Sequence, residues 1–176
     1  SGLCHQLLGP AFALFPGPVQ RVHSRLPLCL RGEAQVHAAT HGVARLLARL
    51  LGFPSEARWA AISVQLERDG HGERWTRRFA ERTLRSRLQP ERGLLVERFG
   101  PVRLRFHLEV DGGVLHWRPR AVSCLGLPLP RGLVSSIEAR EWVEDGRYRF
   151  LARGVLPLVG RVVAYEGWLE VSEPGD

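Results

Sequence analysis

Three Asp-Gly pairs, at 69–70, 111–112 and 145–146, constrain the fold of this chain more than any other feature of its sequence. Each pair is flanked by segments in which apolar and polar residues alternate. Asp-Gly supplies the positive φ angles of the tight turns that join antiparallel strands. Looser turn signals lie at 89–93 and at Gly100-Pro101. The pattern predicts strands at about 60–68, 73–79, 82–88, 94–99, 102–110, 114–123, 137–144, 147–154 and 161–171, with one more near 33–39.

A series of neighbouring hairpins predicts a mainly β fold in which one antiparallel meander sheet is strongly curved or closed into a barrel. Short N-terminal helices are expected to pack on it. The alternative is a helix-grip (START-like) sheet, which is less favoured because that fold needs a long C-terminal helix. The chain has 176 residues, close to the usual size of one domain. We expect a single domain over 1–176, with a helical or extended segment over 1–58 and the β meander over 59–171.

Two segments before the meander have helical character. Residues 3–15 are apolar and predict a short helix, acting as a lid or a plug. Pro16-Gly17-Pro18 is expected to end this helix and to start an extended connection. In the second segment, 43–51, leucines recur at helical spacing opposite two arginines, and Gly52 follows as a stop signal. Packing on the sheet explains these leucines better than attachment to a membrane surface does.

Composition excludes several classes of protein. The chain has no methionine and begins with Ser1-Gly2, so we expect it to be part of a longer polypeptide.

Every basic side chain is arginine, and the 25 arginines are interleaved with 18 acidic residues along nearly every predicted strand. No basic stripe is apparent, so we expect no nucleic-acid partner and keep nucleic-acid binding through scattered arginines as a weak alternative. Three dispersed cysteines and no long apolar run predict a soluble, cytoplasmic domain without disulfides.

One predicted strand places a charge among aromatic rings. Trp75, Arg77 and Phe79 alternate, so their side chains share one face. A buried guanidinium needs a partner, and the carboxylates of other predicted strands are the candidates: Glu97, Glu138 and Glu166. Arg77 is either an anchor for an anionic head group in an apolar pocket or a structural ion pair with cation–π packing. We favour the ion pair.

Six strings in order resemble one known family: LLGPAF (7–12), VH (22–23), WTRRF (75–79), ERFGP (97–101), LGLPLP (125–130) and LPLVGRVVAYEGWL (156–169). Together they are similar to the bacterial family known as domain of unknown function 4166, over almost the whole chain. The resemblance implies a domain often joined to a nicotinamide-dependent, Rossmann-type reductase domain. It implies no activity and no catalytic residue.

No catalytic template fits the sequence. His37 and His41 have helical spacing but no H-E-x-x-H glutamate, and no nucleophile elbow or phosphate loop is present. A histidine such as His23, after a proline-rich link, more often caps or fills a gap than acts as a base. We therefore expect no metal, cofactor or catalytic residue, and no enzyme activity from this domain alone.

The sequence best fits a domain that binds a hydrophobic or amphipathic small molecule, either on its own or as the substrate-binding part of a reductase-linked protein. A structural or partner-docking domain without a cavity is the alternative. The candidate ligand-binding residues are Trp75, Arg77, Phe79, Glu97, Phe106, Tyr165 and Trp168.

Overall fold

Ten antiparallel strands close into a barrel in the computed structural model, which describes residues 2–54, 56–80, 82–134 and 136–172. The strands, with a two-residue β8 added to the edge of β7, are β1 Leu28–Val36, β2 Arg58–Asp69, β3 Gly72–Phe79, β4 Arg82–Glu91, β5 Leu94–Phe99, β6 Val102–Asp111, β7 Val114–Cys124, β8 Leu127–Pro128, β9 Ile137–Glu144, β10 Arg147–Leu156 and β11 Gly160–Val171. Their order around the wall is β6-β5-β4-β3-β2-β1-β11-β10-β9-β7, and β7 pairs with β6 to complete the circle. The predicted closed antiparallel sheet is confirmed. The helix-grip alternative is wrong, because this sheet closes on itself.

The predicted tight turns join β2 to β3, β6 to β7 and β9 to β10. Asp145 and Gly146 both have positive φ, 51° and 75°, which is the backbone of a type I′ hairpin turn. Gly112 and Gly113, at 54° and 78°, form the same kind of turn. These three turns lie at one end of the barrel together with the β4–β5 turn, and we call this the plug end.

Helices in the first 24 residues pack against the plug end. Helix α1 is Leu3–Leu8, a 3₁₀ helix follows at Gly9–Leu14, and α2 is Gly17–Ser24. Helix α1 contacts β4, β5 and β6, and α2 contacts β9 and β10. The predicted plug is present, but the extended connection expected after Pro16 is wrong. Pro18 lies in the first turn of α2, where the missing N–H removes no helical hydrogen bond.

Helix α3, Gly42–Leu50, connects β1 to β2 at the opposite end of the barrel. Its buried residues are Ala44 and Ala48, whereas Leu46 and Leu50 are 58% and 72% exposed. The expectation that the sheet covers the leucines is wrong for these two, because the small alanines form the face that packs closely on the barrel. A short helix α4, Arg131–Val134, lies between β8 and β9. None of the helices in the described ranges is long and apolar enough to cross a bilayer.

Alternate residues of each strand point into the barrel. On β6, Leu104, Phe106 and Leu108 are buried, as their parity predicts, and they belong to one apolar cluster that continues through the other strands and the plug helices. This face therefore forms the interior wall on which any internal site must be built.

Candidate functional site

The barrel interior contains a partly open cavity of about 230 Å³. Val22 of α2 borders it at the plug end, and Phe53, which follows α3, borders it at the other end. Most of its lining is apolar. The polar side chains among its lining residues are Arg77, Glu97, Glu138, Arg140, Glu141, Tyr148, Arg153 and Tyr165.

The structure brings five of the seven candidate residues to this cavity: Trp75, Arg77, Glu97, Phe106 and Tyr165. Phe79 is fully buried but lies in the wall, with its ring centroid 4.9 Å from that of Tyr165. Trp168 does not line the cavity. The Arg147 guanidinium lies over its ring at 4.6 Å, and Arg147 is exposed, so this indole belongs to the outer face.

Arg77 is held by an ion pair inside the barrel. Its Nη2 lies 3.2 Å from Glu97 Oε1, its Nη1 donates to Ser86 Oγ at 2.9 Å, and the guanidinium lies 5.0 Å from the centre of the Trp75 ring. Burial opposes the charge of Arg77, but the Glu97 carboxylate outweighs that effect and raises the pKa of the guanidinium above its usual value. The structure thus shows the ion pair with cation–π packing that the sequence favours.

The other two carboxylates proposed as partners of Arg77 lie elsewhere. Glu138 Oε2 is 2.9 Å from Arg153 Nη2, and Glu166 Oε1 is 3.3 Å from His37 Nε2. Glu97 is therefore the partner that β5 supplies, two strands away from β3.

A second buried polar cluster joins the plug to the barrel wall. The Nε2 atom of His23, on α2, lies 2.5 Å from Glu141 Oε2 on β9. The Nδ1 atom of the same ring lies 3.3 Å from Cys4 Sγ on α1. Its ring also stacks on Trp75, with centroids 5.9 Å apart. The sequence assigned His23 to filling a gap in the structure, and its partners are 19 and 118 residues away, so only the folded chain identifies them.

Thiol, imidazole and carboxylate follow one another in this cluster as they do in cysteine hydrolases. Neither Cys4 nor His23 lines the cavity, however, and both are buried, so a substrate there has no access to the sulfur. Burial also raises the pKa of the Cys4 thiol and so disfavours the nucleophilic thiolate. The geometry fits a structural link between plug and wall.

Charge interactions at His23 favour its protonated form. Burial alone lowers the pKa of the imidazole, but the Glu141 carboxylate, together with the hydrogen bond to the neutral Cys4 thiol, outweighs it and raises that pKa well above its usual value. Burial, reinforced by Glu141, also raises the pKa of the Tyr148 phenol well above its usual value, so Tyr148 keeps its hydrogen-bond donor at neutral pH. The cavity therefore holds a phenolic O–H beside the Glu141 carboxylate.

The two histidines with helical spacing lie apart from the cavity. His37 follows β1 and pairs with Glu166, and His41 is the N-cap residue of α3. Within the ranges that the structure describes, no group of three histidine, cysteine or acidic residues has the arrangement of a metal site.

Comparison with known proteins gives one family. The sequence model described as "Domain of unknown function (DUF4166)" matches residues 15–169, from the residue after the 3₁₀ helix to a point two residues before the end of β11. No curated protein matches the chain.

Substitution of Arg77 tests its structural role. Arg77→Met leaves the Glu97 carboxylate buried without its cation, and we expect a loss of about 3 kcal/mol in the free energy of unfolding, measured by urea denaturation at pH 7. The double variant Arg77→Met/Glu97→Met removes both charges and should recover most of that loss. Arg85→Met, on the exposed face of β4, is the control. A loss below about 1 kcal/mol for Arg77→Met alone would show that the guanidinium is solvated.

Substitution of His23 tests the link between plug and wall. An imidazole whose pKa is raised on folding gives a stabilisation that is complete below about pH 6.5, the pKa of the unfolded chain, and is lost as the pH rises towards the pKa of the folded state. Between about pH 6.5 and 8, below the range in which an unfolded thiol ionises, the free energy of unfolding should fall by up to about 1.4 kcal/mol per pH unit.

His23→Gln should abolish this slope. His37→Gln, which removes a half-exposed histidine–glutamate pair, is the matched control and should retain it. Equal slopes in the wild type and in His23→Gln would show that folding does not raise the pKa of His23.

Proposed function

The chain belongs to the DUF4166 family, and we propose that its barrel binds a hydrophobic or amphipathic small molecule. The internal cavity, apolar over most of its lining and bordered by a few polar side chains, carries this proposal. Ligand sites in proteins commonly combine these two features, because apolar walls supply affinity and a few polar groups fix orientation.

The cavity volume limits the size of the ligand. At about 230 Å³ the cavity exceeds the roughly 150 Å³ that accommodates a benzene ring, and it is below the roughly 300 Å³ at which pockets for larger ligands begin. A single ring system or a short alkyl chain fits this volume. The rings of Trp75, Phe106 and Tyr165 supply the walls.

Polar groups in the lining would orient such a ligand. The Tyr148 hydroxyl and the Glu141 carboxylate border the cavity, and because the phenol hydrogen-bonds the carboxylate, the pair presents oxygen acceptors to a ligand. Arg77 borders it as well, but Glu97 already balances its charge. We therefore assign to the pair Arg77–Glu97 a role in hydrogen bonding and in shaping the wall, and not the attraction of a free negative charge.

Two other functions fit the structure less well. A purely structural domain would fill its interior, since a core without a ligand packs to a density that leaves few voids larger than a water molecule. Nucleic-acid binding would need a continuous basic surface. The ion pairs of the described residues instead join arginines to acids on many strands, among them Arg87–Asp69, Arg118–Glu109 and Arg149–Glu144. If the chain continues into a reductase domain, the same cavity would hold that domain's substrate.

Titration with octan-1-ol tests the proposal. We expect octan-1-ol to bind the purified protein at one site, measured by calorimetry, and native mass spectrometry of gently purified protein to detect a retained small molecule. Ala152→Leu places extra methyl groups in the cavity and should weaken binding by about tenfold or more, equivalent to about 1.4 kcal/mol.

Ala61→Leu is the matched control, because Ala61 is exposed on the outer face of β2. It should leave binding unchanged. If the wild type neither binds octan-1-ol nor retains a small molecule, the domain has no ligand function of this kind.

A further inference from the structure

The barrel wall has a gap between β7 and β9. The two strands pair over three residues only, Leu115–Trp117 on β7 and Glu141–Ala139 on β9, whereas the neighbouring β9–β10 ladder runs over eight pairs. Past Trp117, β7 pairs only with β6 and then with the short β8. The edge of β7 that faces β9 is therefore unpaired over residues 118–121.

The sequence of β7 explains why the ladder ends there. Pro119 has no N–H to donate to a neighbouring strand. The ladder between β7 and β6 also changes register next to this proline, between Arg105 and Phe106 of β6. Arg118 and Arg120, on either side of the proline, are exposed. Proline, a bulge and charged side chains are the features by which proteins prevent pairing along a strand edge.

A groove lies over this gap and meets the internal cavity. Its volume is about 770 Å³. Trp117, Ile137, Glu138, Ala139 and Arg153 line both the groove and the cavity, so the same side chains separate the two spaces. The cavity and the outside of the barrel are therefore separated here by the side chains of these five residues and not by a continuous strand ladder.

The groove has an excess of positive charge and an unused hydrogen-bond donor. Arg118 pairs with Glu109 and Arg153 with Glu138, at 3.0 and 2.9 Å. Arg120 also lines the groove, and within the described ranges it has no ion-pair partner. Trp117 is 5% exposed, and its Nε1 has no hydrogen-bond partner among the residues that the structure describes. A buried N–H without an acceptor is costly and points to a ligand oxygen at this position.

We propose that this gap is a lateral portal at which the carboxylate or phosphate head of an amphipathic ligand binds Arg120 and the Trp117 N–H, while its apolar part lies in the cavity. This inference rests on the proposed function and specifies the class of ligand. The guanidinium supplies the charge that the neutralised Arg77–Glu97 pair does not, and the indole N–H hydrogen-bonds an anionic oxygen at the inner edge of the gap.

Three probes with the same alkyl chain test the portal: octan-1-ol, octanoate and octyl phosphate. We expect at least one anion to bind the wild type about tenfold or more tightly than octan-1-ol. In Arg120→Gln the ratio of anion to alcohol affinity should fall towards one. Arg85→Gln removes an exposed arginine from β4, three strands away from β7, and should keep the wild-type ratio. Octanoate and octyl phosphate distinguish a carboxylate from a phosphate head.

The outcomes separate this inference from the function on which it rests. Binding of octan-1-ol with no advantage for either anion would overturn the portal and leave the cavity function intact. No binding of any probe would overturn both. An anion preference that survives in Arg120→Gln would place the head group elsewhere and would contradict the portal.

The indole N–H resonance of Trp117 gives an independent readout. Its assignment follows from the signal that is lost in Trp117→Phe, and we expect this signal to shift on addition of the preferred anion. An unchanged Trp117 resonance at saturating anion would contradict the proposed hydrogen bond.

Discussion

Pairing of β6 with β7 is the interaction on which the rest of the structure depends. It extends from Asp111–Val114 at the turn to Val102–Cys124 and closes a sheet that would otherwise have two free edges. Because the sheet is closed, the inward side chains of ten strands face one another across a common interior. The inward side chains do not fill this interior completely, and the space that remains is the cavity. The same closure makes the short β7–β9 ladder significant, since a gap in a closed wall leads directly to the interior.

Two buried ion pairs stabilise this hollow interior at different places. His23–Glu141 ties the plug to β9, and Arg77–Glu97 links β3 to β5 across β4. Charges so far from water are tolerated only when they are paired and hydrogen-bonded. Three of the polar residues that line the cavity, Arg77, Glu97 and Glu141, belong to these two pairs, so part of its polar lining arises from groups that hold the wall and plug together. In contrast, among the described residues neither Trp117 Nε1 nor Arg140 Nε has a hydrogen-bond partner, and both side chains belong to the strands that border the gap.

The sequence predicted the barrel well because its signals are local. Asp145-Gly146 specifies a turn because it lies between alternating segments, and parity groups the side chains that share a face, such as Trp75 and Arg77, although it does not identify which face is the interior. Tyr165 and Trp168 lie three residues apart and so on opposite faces, and only Tyr165 reaches the cavity, so the prediction of both as ligand-binding residues overlooks a local signal. The errors have physical causes as well. Pro18 predicts the end of a helix, although proline also begins helices, and the leucine spacing of α3 predicts that the leucines pack on the sheet, although two alanines form the buried face. Contacts between distant segments, such as His23 with Glu141 or the end of the β7–β9 ladder, leave no local signal.

A crystal structure of the protein soaked with 8-bromooctanoate tests the central claim, a hollow barrel open at its side, most directly. The anomalous signal of bromine locates the apolar end of the probe. The account predicts a bromine peak inside the barrel near Phe106 and Tyr165, with the carboxylate density at the gap between β7 and β9. Bromine found only on the outer surface, for example at the exposed leucines of α3, would contradict it.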